Sequence, residues 1–343
     1  MVTILQTLSL DAYRGVHGLV LERLTPVSLV VGANNSGKSS ILEAAGLFLR
    51  PPDPTQWVSA VRHRDVDMSL VDGLWSVFPS SEALHPEDGP QESSPFVIEG
   101  SASGSPRRVE ARCFASQILG ATEAADLSAR VEVSVNGDPP LTLKFPSPSA
   151  VAHQVPIYRV FTVTPATHYS TKAIVEHLSR VVDEGKKQLA VELLQLFDAN
   201  VEDLDVIASS GREAVRVTHR DRGVVDLASF GDGMRRSAAL ALALTRASQG
   251  VLLVDEIETG IHHSVLRPVL SKLLAAAATS QVQIVATTHS LEAVDAIIGS
   301  VEDRGTPDAL SAFWVQRQEG KHEVRRYDFA KLCTLREGGL DIR

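Results

Sequence analysis

Five consecutive apolar residues, Val27–Val31, run directly into Gly32-Ala33-Asn34-Asn35-Ser36-Gly37-Lys38-Ser39-Ser40. Gly32, Gly37, Lys38 and Ser39 fill the spacing G-x-x-x-x-G-K-[ST], the signature of a loop that cradles phosphates. Its context fits. A β-type run precedes it, and Ser39–Leu49 follows with Ile41, Leu42, Ala45 and Leu49 on one helical face. The glycines let the backbone close around an anion with amide hydrogens pointing inward. The helix behind the loop presents its positive end to the same anion. Lys38 is expected to reach the β- and γ-phosphates, and the Ser39 hydroxyl to ligate magnesium. The alternative, an ordinary Gly-rich strand-to-helix turn, is outweighed by the flanking pattern.

Such a loop belongs in an α/β layered sheet, and the remaining chain reads accordingly. Ile157–Val163, Val251–Val254 and Val282–Ala286 are short apolar runs of the kind that form buried parallel strands. Met234–Ala247 and Ser264–Ala278 read as helices, the first apolar on nearly all sides. A length of 343 residues suggests about two domains. The expected core is a mostly parallel sheet flanked by helices, built from residues 1–50 and 155–343. It has a short helical region at about 170–200, broken near Gly185 and too short for a long coiled-coil arm. Residues 51–154 are expected to be a variable β-rich insert. Within it, Pro79–Arg108 is rich in Ser, Pro, Gly and Glu and reads as turns and loops. Val131, Val133 and Val135 alternate as in an antiparallel strand with one wet side, and the Pro-Ser run at 146–150 closes the segment.

Two further segments carry chemistry. Val251–Val254 ends in Asp255-Glu256, at the strand end where open α/β sheets place ligands. Asp255 is the expected outer-sphere magnesium partner. Glu256 is the candidate general base that orients or deprotonates water. Val282–Ala286 ends in Thr287-Thr288-His289-Ser290, which places His289 to touch a γ-phosphate and relay its presence. The Gly-rich turn Ser229–Arg236 precedes an apolar helix and is a second possible anion cradle; alone it reads as a capped helix with Asp232 or Ser229 as N-cap.

In this order, the phosphate loop, FGDGMRR, LLVDEIETGIH and ATTHS resemble the ABC-type P-loop ATPases. The similarity is greater to the branch containing SMC-like, RecF-like and OLD-family ATPases, through AYRGVHGLVLERLTPVSLVVGANNSGKSSILEAA, the Asn34-Asn35 pair and the C-terminal GGLDIR. The resemblance covers residues 1–50 and about 155–343; residues 51–150 match poorly, and no Q-loop glutamine is placed. It implies a head-to-head homodimer that sandwiches ATP and Mg²⁺ between the phosphate loop of one copy and the signature turn of the other. Phe230, Gly231, Asp232, Gly233 and Met234 would form that signature, with Gly231 where the usual form has serine. Glu258–His262 would be the segment crossing the interface, His289 the switch histidine, and Tyr13 or Arg14 a neighbour of the adenine. No long arm and no Toprim-like nuclease segment accompanies the core in this sequence. The small ATPases it resembles work beside a separately encoded effector, often a nuclease, and many such pairs act in phage defence.

Charge and composition narrow the alternatives. Thirty-three Lys plus Arg against 42 Asp plus Glu give a net charge of −9, which argues against coating duplex DNA by bulk charge. Arg216, His219, Arg220, Arg222, Arg235-Arg236 and Arg325-Arg326 form local basic clusters, more often solvated or ion-paired faces than nucleic-acid sites. Cys113 and Cys333 have no metal-binding spacing and read as reduced thiols. The absence of a basic leader and of long apolar stretches gives the expectation of a cytoplasmic protein away from membranes. An ATP-binding scaffold with little turnover, a RecF-like DNA-repair ATPase and an ABC transporter subunit are the competing readings; the FGDG signature fits the last poorly.

Overall fold

The computed structural model describes residues 2–62, 69–79, 89–117, 127–146, 158–209, 212–318 and 320–342. Its central sheet is mixed and mostly parallel. β3 (Val27–Val31) lies between β14 (Gln283–Thr288) and β15 (Leu310–Gln318), parallel to both. β13 (Val251–Val254) continues from β14, and β9 (Val160–Val163) closes that edge, both in parallel register. The antiparallel β16 (Lys321–Asp328) closes the other edge, giving the order β16-β15-β3-β14-β13-β9. Every residue of β3, β13 and β14 is buried, as both faces are covered. The part of the expected strand Ile157–Val163 at residue 157 lies outside the described residues.

Alternation along each strand divides the interior in two. Leu252, Val254, Ile284 and Ala286 face one apolar cluster with α6 (Asp232–Arg246), α7 (His263–Thr279) and α8 (Leu291–Asp303). Leu253, Val285 and Val30 face a second cluster with α1 (Lys38–Leu49). That second cluster is roofed by an antiparallel sheet in the order β2-β1-β5-β6-β7-β8. Its strands are β1 (Leu5–Tyr13), β2 (Val16–Glu22), β5 (Phe96–Ala102), β6 (Ser105–Gln117), β7 (Leu127–Val135) and β8 (Leu141–Phe145), with β4 (Gln91–Glu92) on β6. Buried Gln283 ties the sheets together: its Oε1 accepts from the Ile4 and Leu5 amides, and its Nε2 donates to the Leu5 and Thr25 carbonyls.

One expectation needs correction. Pro79–Arg108 is not only turns: it holds β4, β5 and the start of β6, because Phe96, Ile98 and Ala102 alternate inward into the second core. The strands after residue 51 join those of the N-terminal segment, since β5 pairs with β1. That stretch also contains α2 (Pro54–Arg62) and α3 (Leu70–Trp75). The helical region is α4 (Thr171–Asp183) and α5 (Gln188–Gln195), separated by Gly185 at φ +67°. A three-stranded antiparallel sheet, β10 (Val201–Ser209), β11 (Arg212–His219) and β12 (Gly223–Asp226), leads to α6. The chain ends in α9 (Phe329–Glu337). Both cysteines are free, and burial raises the Cys113 thiol pKa to about 12.

His177 on α4 gives the fold a pH dependence. Its Nδ1 accepts a hydrogen bond from Arg246 Nη1 at 2.9 Å, which fits only an imidazole unprotonated there. Burial first, and Arg246 second, lower its pKa to about 4. A depressed histidine pKa contributes stability that is present above its unfolded value of about 6.5 and is lost as pH falls towards 4. The contribution is about 3 kcal/mol. Urea midpoints between pH 7 and pH 4 should therefore fall more steeply for the natural chain than for His177→Leu. Equal slopes would remove His177 from the account.

Candidate nucleotide site

The phosphate loop joins β3 to α1, and its backbone has the geometry the sequence requires. Gly32 has φ +156° and Gly37 φ +88°; an added Cβ on Gly32 would meet the Val315 carbonyl at 2.3 Å, and one on Gly37 would meet Val16 at 2.8 Å. Asn35 adopts the left-handed region at φ +63°. The loop opens on a cleft of about 540 Å³ lined by Asn34, Asn35, Ser36, Gly37, Lys38, Ser39 and Ser40. Lys38 Nζ folds back onto the loop, donating to the carbonyls of Gly32 (2.8 Å) and Ala33 (2.9 Å). Burial pulls the Lys38 pKa down, against the opposing pull of Asp255, Glu256 and Glu258. The buried Ser36 hydroxyl has no hydrogen-bond partner among the described residues, which leaves it available to an anion in the loop.

The acidic strand end meets this loop. Ser39 Oγ donates to Asp255 Oδ2 at 2.8 Å, and Thr287 Oγ1 donates to Asp255 Oδ1 at 2.5 Å. Thr287 Oγ1 also accepts from the Glu256 amide at 2.8 Å, so one threonine on β14 sets both acids. Glu256 has φ +47°, a strained position for a residue with a Cβ, of the kind that clusters at functional sites. Its Oε2 accepts from Thr259 Oγ1 at 2.9 Å, and Glu256 lines the cleft beside Asp255. The hard oxygens of Ser39 and Asp255 suit magnesium, which is commonly held by one or two protein oxygens together with substrate phosphates.

The other sequence candidates lie elsewhere. Phe230, Gly231, Asp232 and Gly233 do not line the cleft. They lead into α6 on a separate surface, where the Gly233 Cβ position is 3.0 Å from the Gly260 carbonyl of the Glu258–His262 segment. Neither Ser229 nor Asp232 caps α6. Gly231 is its N-cap, the Ser229 hydroxyl donates to the Asp226 carbonyl, and Asp232 accepts from Tyr169 at 2.8 Å. His289 faces Glu258, with Nδ1 at 3.4 Å from Oε1, and does not line the cleft. Tyr13 is fully buried against Phe96, so of the two adenine candidates only Arg14 reaches the cleft.

Sequence reading missed Arg236. With Arg235 it reads as a solvated or ion-paired basic pair, yet it is fully buried. Its guanidinium donates to the carbonyls of Thr164, Asp255 (2.8 Å) and Glu256 (3.0 Å). α6 is thereby tied to the backbone of both acids and to the end of β9, where Thr162 and Thr164 line the cleft. Burial lowers the Arg236 pKa to about 10, with Asp255, Glu258 and Glu256 opposing the change. Its place directly before the buried apolar run Ala238–Leu244 of α6 is the available signal. The other basic clusters are engaged: Arg216 with Asp226, His219 with Asp198, Arg220 with Glu202 and Arg325 with Glu323, while Arg222 lies over the Phe230 ring.

Comparisons with known proteins bear on the family and the fold. Residues 156–295 match the family described as "AAA domain, putative AbiEii toxin, Type IV TA system", a span that holds the signature turn, Asp255-Glu256 and His289 but not the phosphate loop. Two uncharacterized proteins of Methanocaldococcus jannaschii are similar. MJECL11 is 28% identical over 116 residues, 33% of this chain and 99% of that protein. MJECL10 is 44% identical over 45 residues, 13% of this chain and 20% of that protein. Among solved structures, an SMC head bound to the C-terminal winged-helix domain of ScpA is similar in fold, with TM-score 0.52 at 12% identity, over 97% of this chain and 100% of that one. Residues 156–295 thus match an AAA-type family, and the fold of the chain is similar to that of an SMC head. No described helix is long and apolar enough to cross a membrane.

Proposed function

We propose that this chain binds Mg-ATP in the cleft and hydrolyses it as one half of a head-to-head homodimer that regulates a separately encoded effector. The observation that carries the reading is the convergence of Lys38, Ser39, Asp255 and Glu256 on one glycine-lined anion cradle. Magnesium, held by Ser39 and Asp255 with phosphate oxygens, would neutralise charge on the β- and γ-phosphates. Lys38 exchanges the Gly32 and Ala33 carbonyls for phosphate oxygens, and the loop amides with the N-terminus of α1 hold the rest of the triphosphate. Glu256, steadied through Thr259 and Thr287, accepts a hydrogen bond from the attacking water and aligns it with the γ-phosphorus.

What supports the dimer is that one copy leaves the cleft without its signature turn. Phe230–Gly233 and the Glu258–His262 segment share a surface away from the cleft, and Tyr169 beside them is 55% exposed. The turn of a second copy would cover the γ-phosphate end. Gly231 favours a second reading, a nucleotide-gated scaffold of low turnover, because no side-chain hydroxyl is available at that point. Its Cβ direction is open space, so sterics do not explain the missing serine. For the effector and a role in phage defence, support comes from the toxin–antitoxin description of the matched family and from the ScpA domain bound to the similar SMC head. A Toprim-like or other nuclease is the effector class implied by the sequence resemblance.

Lys38→Ala tests the reading. Loss of a charge-assisted contact should weaken Mg-ATP binding about 10–100-fold, read by equilibrium titration. Unchanged affinity in a folded variant would place the nucleotide elsewhere.

A further inference from the structure

The strand order gives the cleft two ends. β13 and β9, whose C-terminal ends bring Asp255, Glu256, Thr162 and Thr164 to the cleft, lie to one side of β3. β15 and β16 lie to the other, and they bring Arg317 and His322 to the cleft beside Gly15 and Val16 of the β1–β2 turn. The first side holds the acids, Lys38 and Ser39, so the nucleoside of a bound triphosphate belongs on the second.

Three cationic or donor side chains line that second side, and one is already committed. Arg14 spends Nε on Glu43 (2.8 Å), Nη1 on Ser76 (3.0 Å) and Nη2 on the Ala60 carbonyl (3.0 Å). Arg317 has no hydrogen bond or ion pair among the described residues, and its Nη1 lies 3.8 Å from the Cβ position of Gly15. His322 is 8% exposed, and its Nδ1 accepts from the His17 amide at 3.3 Å. Burial and the nearby Arg317 disfavour the charged ring, so the single proton sits on Nε2. That Nε2 is 3.3 Å from the Cβ position of Gly37 and makes no hydrogen bond among the described residues. Two unspent donors therefore meet at one place, on a hairpin far in sequence from the phosphate loop.

We propose that Arg317 and His322 are base-binding residues of the cleft: the Arg317 guanidinium packs on or donates to a purine ring, and His322 Nε2–H donates to a ring acceptor. The proposal rests on the reading of the cleft as a nucleotide site. An Arg plane and an imidazole N–H are chemically suited to a flat ring edged with acceptor nitrogens.

The test compares Mg-ATP with magnesium tripolyphosphate, which has the phosphates and no nucleoside, by isothermal titration on folded full-length chains. Arg317→Ala, at an exposed position, and His322→Leu should each weaken ATP about tenfold and leave tripolyphosphate unchanged. His322→Gln, which can return an N–H near the Nε2 position, should recover most of the loss. Lys38→Ala should weaken both ligands. If Arg317→Ala and His322→Leu weaken the two ligands equally, or weaken neither, the base-binding role is wrong while the nucleotide site stands. If the natural chain binds neither ligand, the nucleotide reading itself falls.

Discussion

Glu256→Gln should lower steady-state ATP hydrolysis by about 10²–10⁴-fold with Mg-ATP affinity close to that of the natural chain. The amide keeps the shape of the side chain and its contact with Thr259, but it cannot take up a proton or align water as a carboxylate does. Binding depends on other groups, namely the loop amides, Lys38 and the Ser39–Asp255 pair, and these do not touch the Glu256 carboxylate. The effect should therefore appear in turnover and not in the dissociation constant. Turnover at the natural rate would assign water activation to another group. Loss of both turnover and binding would show that the strained backbone at Glu256, φ +47°, needs the charge to hold the site together.

The second large effect concerns Arg236. Its guanidinium serves three buried or half-buried carbonyls on two segments that line the cleft. Arg236→Met would preserve much of the packing while leaving those carbonyls without donors. An unsatisfied buried polar group costs about 1–3 kcal/mol, so a loss of about 3–5 kcal/mol is expected once partial relaxation is allowed for. Arg236→Lys should recover little, because one ammonium on a flexible stem cannot reproduce a planar fork. The denaturation midpoint measures this directly. A loss below about 1 kcal/mol would mean that water replaces the guanidinium and that Arg236 is not the tie between the signature helix and the acids. Any Arg236→Met protein that remains folded should also bind ATP without coupling it to the signature surface.

Much of this site was legible locally. Val27–Val31 and Val251–Val254 are buried on every residue, and a strand covered on both faces has to read as an unbroken apolar run. The loop residues are fixed by the chemistry of holding an anion, which leaves few choices at Gly32, Gly37, Lys38 and Ser39. What escaped the sequence depends on contacts between distant segments. β5 pairs with β1 across about ninety residues of chain, as in Leu10 opposite Ile98, and nothing in the local composition of Pro79–Arg108 announces that partner. The alternation of Phe96 and Ile98 was present but masked by the surrounding Ser, Pro and Gly. Arg317 and His322 reach the loop only because β15 pairs with β3. Arg236 escapes for a different reason: an Arg-Arg pair reads as a solvated face, whereas a guanidinium that serves three carbonyls with the Asp255, Glu258 and Glu256 carboxylates nearby can be buried.

The signature turn marks the boundary between what one copy does and what two would do. Among the described residues Phe230–Gly233 do not line the cleft, so the proposed complete site requires a second copy. The direct measurement is the solution mass of Glu256→Gln with and without Mg-ATP, by light scattering. This variant should hold ATP unhydrolysed, and the account expects monomer without nucleotide and dimer with it. A mass that does not change while ATP is demonstrably bound would contradict the nucleotide-gated dimer.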